Sequence, residues 1–225
     1  MNIKNDKKLN TLYLIFAYVG VMFCLYGVFL FNQYIRNLLP LPARLVTNIL
    51  VYWFIAVIPF VVMYITKLTP HEIGFRQEKS GRQILNGVLF GVLMSVVLVL
   101  VPYFVGLGAW VDNGTRYDKL WKFVYEYGYC VLAIGAVEEI VFRGVIYGLL
   151  KRILDKEWEV MLISSVLFGF FHILNGNILQ VLLTTGIGFI FCLIRYKVKN
   201  CSLMSLIFLH GTYDFMITVF SSLLF

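Results

Sequence analysis

The chain has 225 residues, of which 60% are hydrophobic and only 14% are charged. A typical soluble domain has roughly 45–50% apolar and about 25% charged residues, so this composition excludes an ordinary soluble protein. The net charge is +7, but the mean hydropathy of +0.85 indicates a lipid bilayer, and not a nucleic acid, as the partner of this basic chain.

Seven apolar stretches approach or exceed the length that crosses about 30 Å of hydrocarbon. They fall near residues 11–31, 45–66, 84–107, 127–150, 159–174, 178–196 and 201–222. The chain is therefore predicted to be an all-α, multi-pass transmembrane helical bundle of about seven spans with a polar interior site. The fifth stretch is short and is followed by the tight connection Asn175–Asn177, which predicts a helical hairpin that turns within or near the membrane.

The distribution of Lys and Arg predicts the orientation of these spans. Lys4, Lys7 and Lys8 precede the first stretch, which lacks a small-x-small cleavage site and is interpreted as a retained span. Alternate loops on the same side as the N-terminus hold most of the loop Lys and Arg residues, which predicts a cytoplasmic N-terminus and an outside C-terminus. On this interpretation the basic net charge is a topology signal that needs no anionic partner.

A charged segment, residues 67–83, separates the second and third stretches and contains two glycines and a proline. It predicts a cytoplasmic connection that ends an N-terminal helix pair, residues 1–79, before the bundle of residues 80–225. His71 lies in this connection and is expected to be a solvated surface residue. The four cysteines, which form no CxxC or disulfide-like spacing, are expected to be packing residues.

Six ionisable residues lie inside predicted spans, where each costs about 2.5–3.5 kcal/mol at a helix centre. The fourth span contains Glu138, Glu139 and Arg143. The fifth span contains His172, and the seventh contains His210 and Asp214. This cost predicts that they converge in the bundle interior and satisfy one another.

Helix geometry assigns different tasks to the two adjacent glutamates of the fourth span. Glu139 and Arg143 are four residues apart and lie on one face, so they are expected to form an internal ion pair. Glu138 points to a different face and has no cation nearby in the helix. We therefore expect Glu138 to be the reactive carboxylate, as a general base or acid.

His210 and Asp214 repeat the four-residue spacing on another helix, and His172 supplies a second imidazole. These residues suit either metal ligation, with Zn²⁺ as the plausible ion, or hydrogen bonding to an oxyanion. There is no HExxH helix, so the local spacing does not specify a metal. A transport pathway and simple bridging between helices are the alternatives that the residues alone leave open.

Three motifs on separate apolar helices resemble the CPBP family (CAAX protease and bacteriocin-processing, also called Abi). EEIVFR (Glu138–Arg143) matches EExxxR, FGFFH (Phe168–His172) matches FxxxH, and HGTYD (His210–Asp214) matches HxxxN or HxxxD. The resemblance covers about residues 80–222. It implies an intramembrane endopeptidase whose polar cavity lies among four core helices.

By the same resemblance, Glu138 would activate the attacking water with the assistance of His172, while Glu139 and Arg143 would shape the site. His210 and Asp214 would stabilise the oxyanion or bind a metal, and both metalloprotease and metal-free glutamate mechanisms are known proposals for the family. Asp214 stands where the family often has Asn. It is therefore expected to be protonated, paired with His210 or a ligand.

The expected substrate is a peptide or lipid-anchored protein, cleaved in CAAX-type processing or in the processing of a bacteriocin or signal peptide. The expected location is a cell membrane, compatible with a bacterial cytoplasmic membrane. A non-catalytic bacteriocin self-immunity or binding protein is the alternative. For Glu138 and His172 to meet one water, the turn after His172 must be sunk into the bilayer or the fourth helix must tilt.

Overall fold

The computed structural model describes residues 6–174 and 176–224, which leaves Lys4 and Asn175 outside the described residues. Within these ranges the chain folds into seven helices and no strand, which confirms the predicted all-α bundle. The helices are α1 (Lys7–Leu38), α2 (Leu41–Thr66), α3 (Ser80–Val111), α4 (residues 120–153), α5 (Glu157–Leu174), α6 (Ile178–Lys197) and α7 (Leu203–Leu224).

Six of the seven described helices are long and apolar enough to cross a membrane, and α4 is the exception. α4 carries the charged residues of the fourth stretch in its middle. Two π-helical segments, Cys130–Gly135 and Ile140–Ile146, interrupt its α-helical hydrogen bonding on either side of Ala136–Glu139. Such segments change the facing of side chains and are frequent at functional sites.

Side-chain caps fix where two of the helices begin. Asp6 Oδ1 accepts the amide of Leu9 at 3.0 Å at the start of α1, and Asn177 Oδ1 accepts the amide of Gln180 at 3.1 Å at the start of α6. Each cap satisfies a backbone donor that has no partner within the helix. The cap at Asn177 starts α6 soon after α5 ends, and α5 and α6 pack against each other as the predicted hairpin.

α7 packs against both α3 and α4, while α1 and α2 pack against α4. One core cluster combines Val21 of α1, Ile55 of α2, Val137 of α4 and Phe168 of α5. The two N-terminal helices thus share a core with the later bundle, and the division after residue 79 stays a prediction. The interior polar residues lie where α2, α4, α5 and α7 meet.

Ion pairs bring three connections to one end of the bundle. Lys7 Nζ lies 3.1 Å from Asp155 Oδ1, and Arg152 Nη2 lies 2.8 Å from Glu72 Oε1. The start of α1, the α2–α3 connection and the α4–α5 connection therefore lie together. These are the segments that the charge distribution assigns to one side of the membrane.

Candidate active site

All six ionisable residues predicted to lie inside spans are brought to one region of the bundle. α4 contributes Glu138, Glu139 and Arg143. The last turn of α5 contributes His172, and α7 contributes His210 and Asp214. Sequence reasoning placed each on a helix, and the packing of α4 against α7 and α5 brings the groups together.

Glu139 is the central structural acceptor of this region. Its Oε1 lies 3.0 Å from Arg143 Nη1 and 2.8 Å from His210 Nδ1, and the carboxylate and the guanidinium are both fully buried. The predicted ion pair between Glu139 and Arg143 is therefore present. The Arg143 guanidinium also lies 4.0 Å from the ring centre of Phe168, a cation–π contact.

Hydrogen bonds at the Nδ1 atoms set the orientation of both imidazoles. His172 Nδ1 lies 3.0 Å from the carbonyl oxygen of Phe168, which can only accept, so we assign the proton to Nδ1. Likewise, the carboxylate of Glu139 accepts from His210 Nδ1. In both residues Nε2 is thereby turned toward Glu138.

Glu138 lies between the two imidazoles. Its Oε2 is 3.9 Å from His172 Nε2 and 3.8 Å from His210 Nε2, and among the described residues this buried atom has no hydrogen-bond partner. These separations are too long for direct hydrogen bonds but suit a bridging water. Glu138 and His172 therefore do approach one point, as the expected mechanism requires.

Tyr52 of α2 is a site residue that sequence reasoning missed. Its hydroxyl donates to Glu138 Oε1, and its ring packs edge-on against Tyr129 with centroids 6.4 Å apart. The only available signal was a hydroxyl in the middle of an apolar stretch. Such a hydroxyl needs a partner when it is buried, but the sequence does not say which one.

Asp214 and His172 mark the open side of the site. Asp214 Oδ2 lies 3.5 Å from His210 Nε2, which agrees with pairing to His210. The side chains of Asp214 and His172 are 25% and 20% exposed, whereas that of Glu138 is 3% exposed. Glu138 is thus reached from outside the bundle past His172 and Asp214.

The site fits a metal only in part. Each imidazole has its Nδ1 held by an acceptor, as metal-ligating histidines usually do. However, across residues 6–174 and 176–224 no group of three or more His, Cys, Asp or Glu side chains is arranged to hold a metal ion. Zinc held by His172 and His210 stays a prediction.

Residues 120–216 match the model of the type II CAAX prenyl endopeptidase Rce1-like family. This segment is thus similar to the Rce1-like branch of the CPBP family.

The Rce1-like segment contains α4, α5, α6 and most of α7, and with them all six ionisable residues of the site. The matched segment is shorter than residues 80–222, over which the sequence motifs predicted the resemblance, and Tyr52 lies outside the matched segment. No curated protein and no solved structure gives a significant match. The family is one of CAAX-type intramembrane proteases, and together with the six apolar helices it supports a membrane location.

Proposed function

We propose that this chain is an intramembrane endopeptidase in which Glu138 and His172 activate a water molecule. The observation that carries the proposal is the buried Oε2 atom of Glu138, which has no partner among the described residues and faces two imidazole Nε2 atoms at 3.8 and 3.9 Å. A carboxylate oxygen without a partner, next to an imidazole nitrogen, is suited to general-base catalysis on a water molecule that contacts both groups.

In the proposed reaction, Glu138 accepts a proton from the water as its oxygen bonds to the scissile carbonyl carbon, with His172 orienting that water. The resulting oxyanion lies on the side of His210 and Asp214, where His210, protonated on both ring nitrogens, donates to it from Nε2 while Nδ1 donates to Glu139. The proton held by Glu138 then passes to the departing amine nitrogen as the C–N bond breaks. Glu139 holds His210 in the required orientation throughout.

The proposed substrate is a peptide or a lipid-anchored protein presented at the bilayer. The match to a prenyl endopeptidase model supports a prenylated C-terminal segment as one such substrate. Processing of a bacteriocin or signal peptide would use the same chemistry. The open side at His172 and Asp214 is where such a chain would enter.

The test is cleavage of a quenched peptide library and of a prenylated peptide by the purified full-length chain in detergent. Glu138→Gln should lower kcat by about 10²–10⁴-fold while the protein still accumulates. Glu126→Gln is the matched control, because Glu126 is a partly buried glutamate on the same helix and its carboxylate bonds to Tyr117, outside the site. Equal activity of Glu138→Gln and wild type would refute the assignment.

Two further outcomes of this experiment are informative. A chain that cleaves nothing, and whose cellular effect survives both Glu138→Gln and His172→Ala, would instead be the non-catalytic immunity or binding protein. Metal analysis of wild type beside a His172→Ala, His210→Ala double variant tests the zinc prediction. If the wild type binds stoichiometric zinc, the double variant loses it and a chelator stops cleavage, the mechanism is metal-dependent and the metal-free one is wrong.

A further inference from the structure

Three adjoining pockets open at the end of the bundle that holds the α2–α3 connection, the end of α4 and the α6–α7 connection. The largest two have volumes of about 460 and 400 Å³, and Arg76 and Arg195 line all three. Among the described residues, seven Lys and Arg side chains but only three glutamates line them. We call this surface the basic basin.

The glutamates of the basic basin neutralise only part of its charge. Glu72 pairs with Arg152 at 2.8 Å and Glu157 with Lys151 at 3.2 Å. Across residues 6–174 and 176–224, neither Arg76 nor Arg195 has a carboxylate within 4.0 Å. Cytoplasmic loops of membrane proteins are generally rich in Lys and Arg, which accounts for the basic residues at this end. That rule does not require two arginines without carboxylate partners to line the same pocket.

Arg195 is held in place from beneath the basin. Its Nη1 donates to the carbonyl of Arg143 at 2.6 Å, and its guanidinium lies 5.1 Å from the ring centre of Tyr147. That carbonyl is available because the π-helical turn directs the amide of Tyr147 to Phe142 and Gly144. Gly74, at φ +90°, leaves room for the guanidinium, since a Cβ there would overlap it.

We propose that the basic basin binds a phosphate group, carried either by a membrane lipid headgroup or by a soluble phosphate. Arginine guanidinium groups suit phosphate through paired N–H donors, and Arg195 uses one of its five in the hydrogen bond to Arg143. Exposed Trp158 and Tyr196 near the same end suit the headgroup level of a bilayer. Basic pockets between spans at that level are typical headgroup sites.

The experiment titrates the full-length chain in neutral detergent with short-chain phosphatidic acid, short-chain phosphatidylcholine, inorganic phosphate and NaCl at matched ionic strength. Binding is measured by calorimetry and by the midpoint of thermal unfolding. We expect saturable binding of phosphatidic acid that NaCl does not reproduce. Saturation by phosphatidic acid alone identifies a lipid headgroup as the source, whereas equal saturation by inorganic phosphate identifies a soluble phosphate.

Arg76→Gln should weaken this binding by at least about tenfold, since a charge-assisted hydrogen bond is lost. Arg82→Gln is the matched control, because it removes the same charge at the same end of the bundle without lining a basin pocket. Gly74→Ala should also weaken binding by displacing Arg195. Equal weakening by Arg76→Gln and Arg82→Gln, or no saturable binding of either phosphate probe, would overturn the proposal.

Discussion

At the scale of single residues, Tyr52 is the group whose role can be tested most directly. Its hydroxyl donates to Glu138 Oε1 and leaves Oε2 toward the imidazoles. Tyr52→Phe should lower kcat by about 10- to 100-fold with KM unchanged, because a hydrogen bond to a charged group contributes about 1.5–3 kcal/mol. Steady-state kinetics on the library peptide that the wild type cleaves fastest measures kcat and KM separately.

Tyr129→Phe serves as the control for that experiment, since Tyr129 packs against Tyr52 and has no described hydrogen bond to Glu138. It removes a hydroxyl from the same aromatic cluster. A fall in kcat of the same size in both variants would show that Tyr52 acts through packing and does not position the carboxylate.

The buried pair of Glu139 and Arg143 should matter for stability as well as for activity. Arg143→Met leaves a buried carboxylate without its cation and should cost about 3–5 kcal/mol, seen as lower abundance and a lower unfolding midpoint. Lys7→Met breaks a solvent-exposed pair with Asp155 and should cost at most about 1 kcal/mol. Similar losses in the two variants would contradict the assignment of Glu139 and Arg143 as an internal support.

These residues also show what the sequence can predict about a site. The pair of Glu139 and Arg143 lies within one helix, so the 3.6-residue period is sufficient to predict it. The contact between Tyr52 and Glu138 joins α2 to α4, and no local rule gives the rotation of one helix against another. The shared role of Glu139, which binds both Arg143 and His210, depends on the same helix packing.

At the scale of helices, the close approach of α4 and α7 depends on two glycines. A Cβ at Gly211 would lie 2.6 Å from Val131 Cα, and one at Gly135 would lie 2.6 Å from the carbonyl oxygen of Ile207. Small residues let helix backbones approach in membranes. Gly211→Ala should therefore push the helices apart, lowering both cleavage and stability, the latter by about 1–3 kcal/mol.

Gly186→Ala is the matched control for this prediction. It lies within α6, and a Cβ there would have no neighbour within 4 Å. Alanine favours helix over glycine by about 0.8–1 kcal/mol, so this variant should be neutral or slightly more stable. The measurement is thermal unfolding in detergent together with peptide cleavage. A Gly211→Ala protein as stable and as active as Gly186→Ala would show that α4 and α7 can adjust without loss.

Apolar stretches in the sequence were sufficient to predict the positions of all seven helices, including the hairpin of α5 and α6, because lipid requires each spanning segment to satisfy its own backbone. Of these seven described helices, α4 alone falls outside the six that are apolar enough to cross a membrane. The π-helical segments of α4 could not be predicted in this way. Cys130–Gly135 and Ile140–Ile146 have ordinary apolar sequences, and their hydrogen bonding departs from the α pattern where α4 packs against its neighbours. They determine where Glu138 and the carbonyl of Arg143 face, so this part of the site had no sequence signal.

At the scale of the whole molecule, the segments predicted to be cytoplasmic lie at one end, joined by Lys7 to Asp155 and Arg152 to Glu72. This places the basic basin and the start of α1 on the same side of any membrane that the helices cross. The fold thereby reduces the orientation to a single question, namely which end faces the cytoplasm. The excess of Lys and Arg at the end that holds the basic basin predicts that this end faces the cytoplasm.

Single cysteines introduced at opposite ends test this orientation. The four native cysteines are free and buried, so they should add little background to labelling by a membrane-impermeant maleimide. Lys119→Cys and Lys156→Cys are a matched pair, because both remove an exposed lysine, one between α3 and α4 and the other between α4 and α5. In intact cells Lys119→Cys should be labelled and Lys156→Cys protected until the cells are permeabilised. The reverse pattern would place the N-terminus outside, and equal labelling of both in intact cells would mean that α4 does not separate two sides of a membrane.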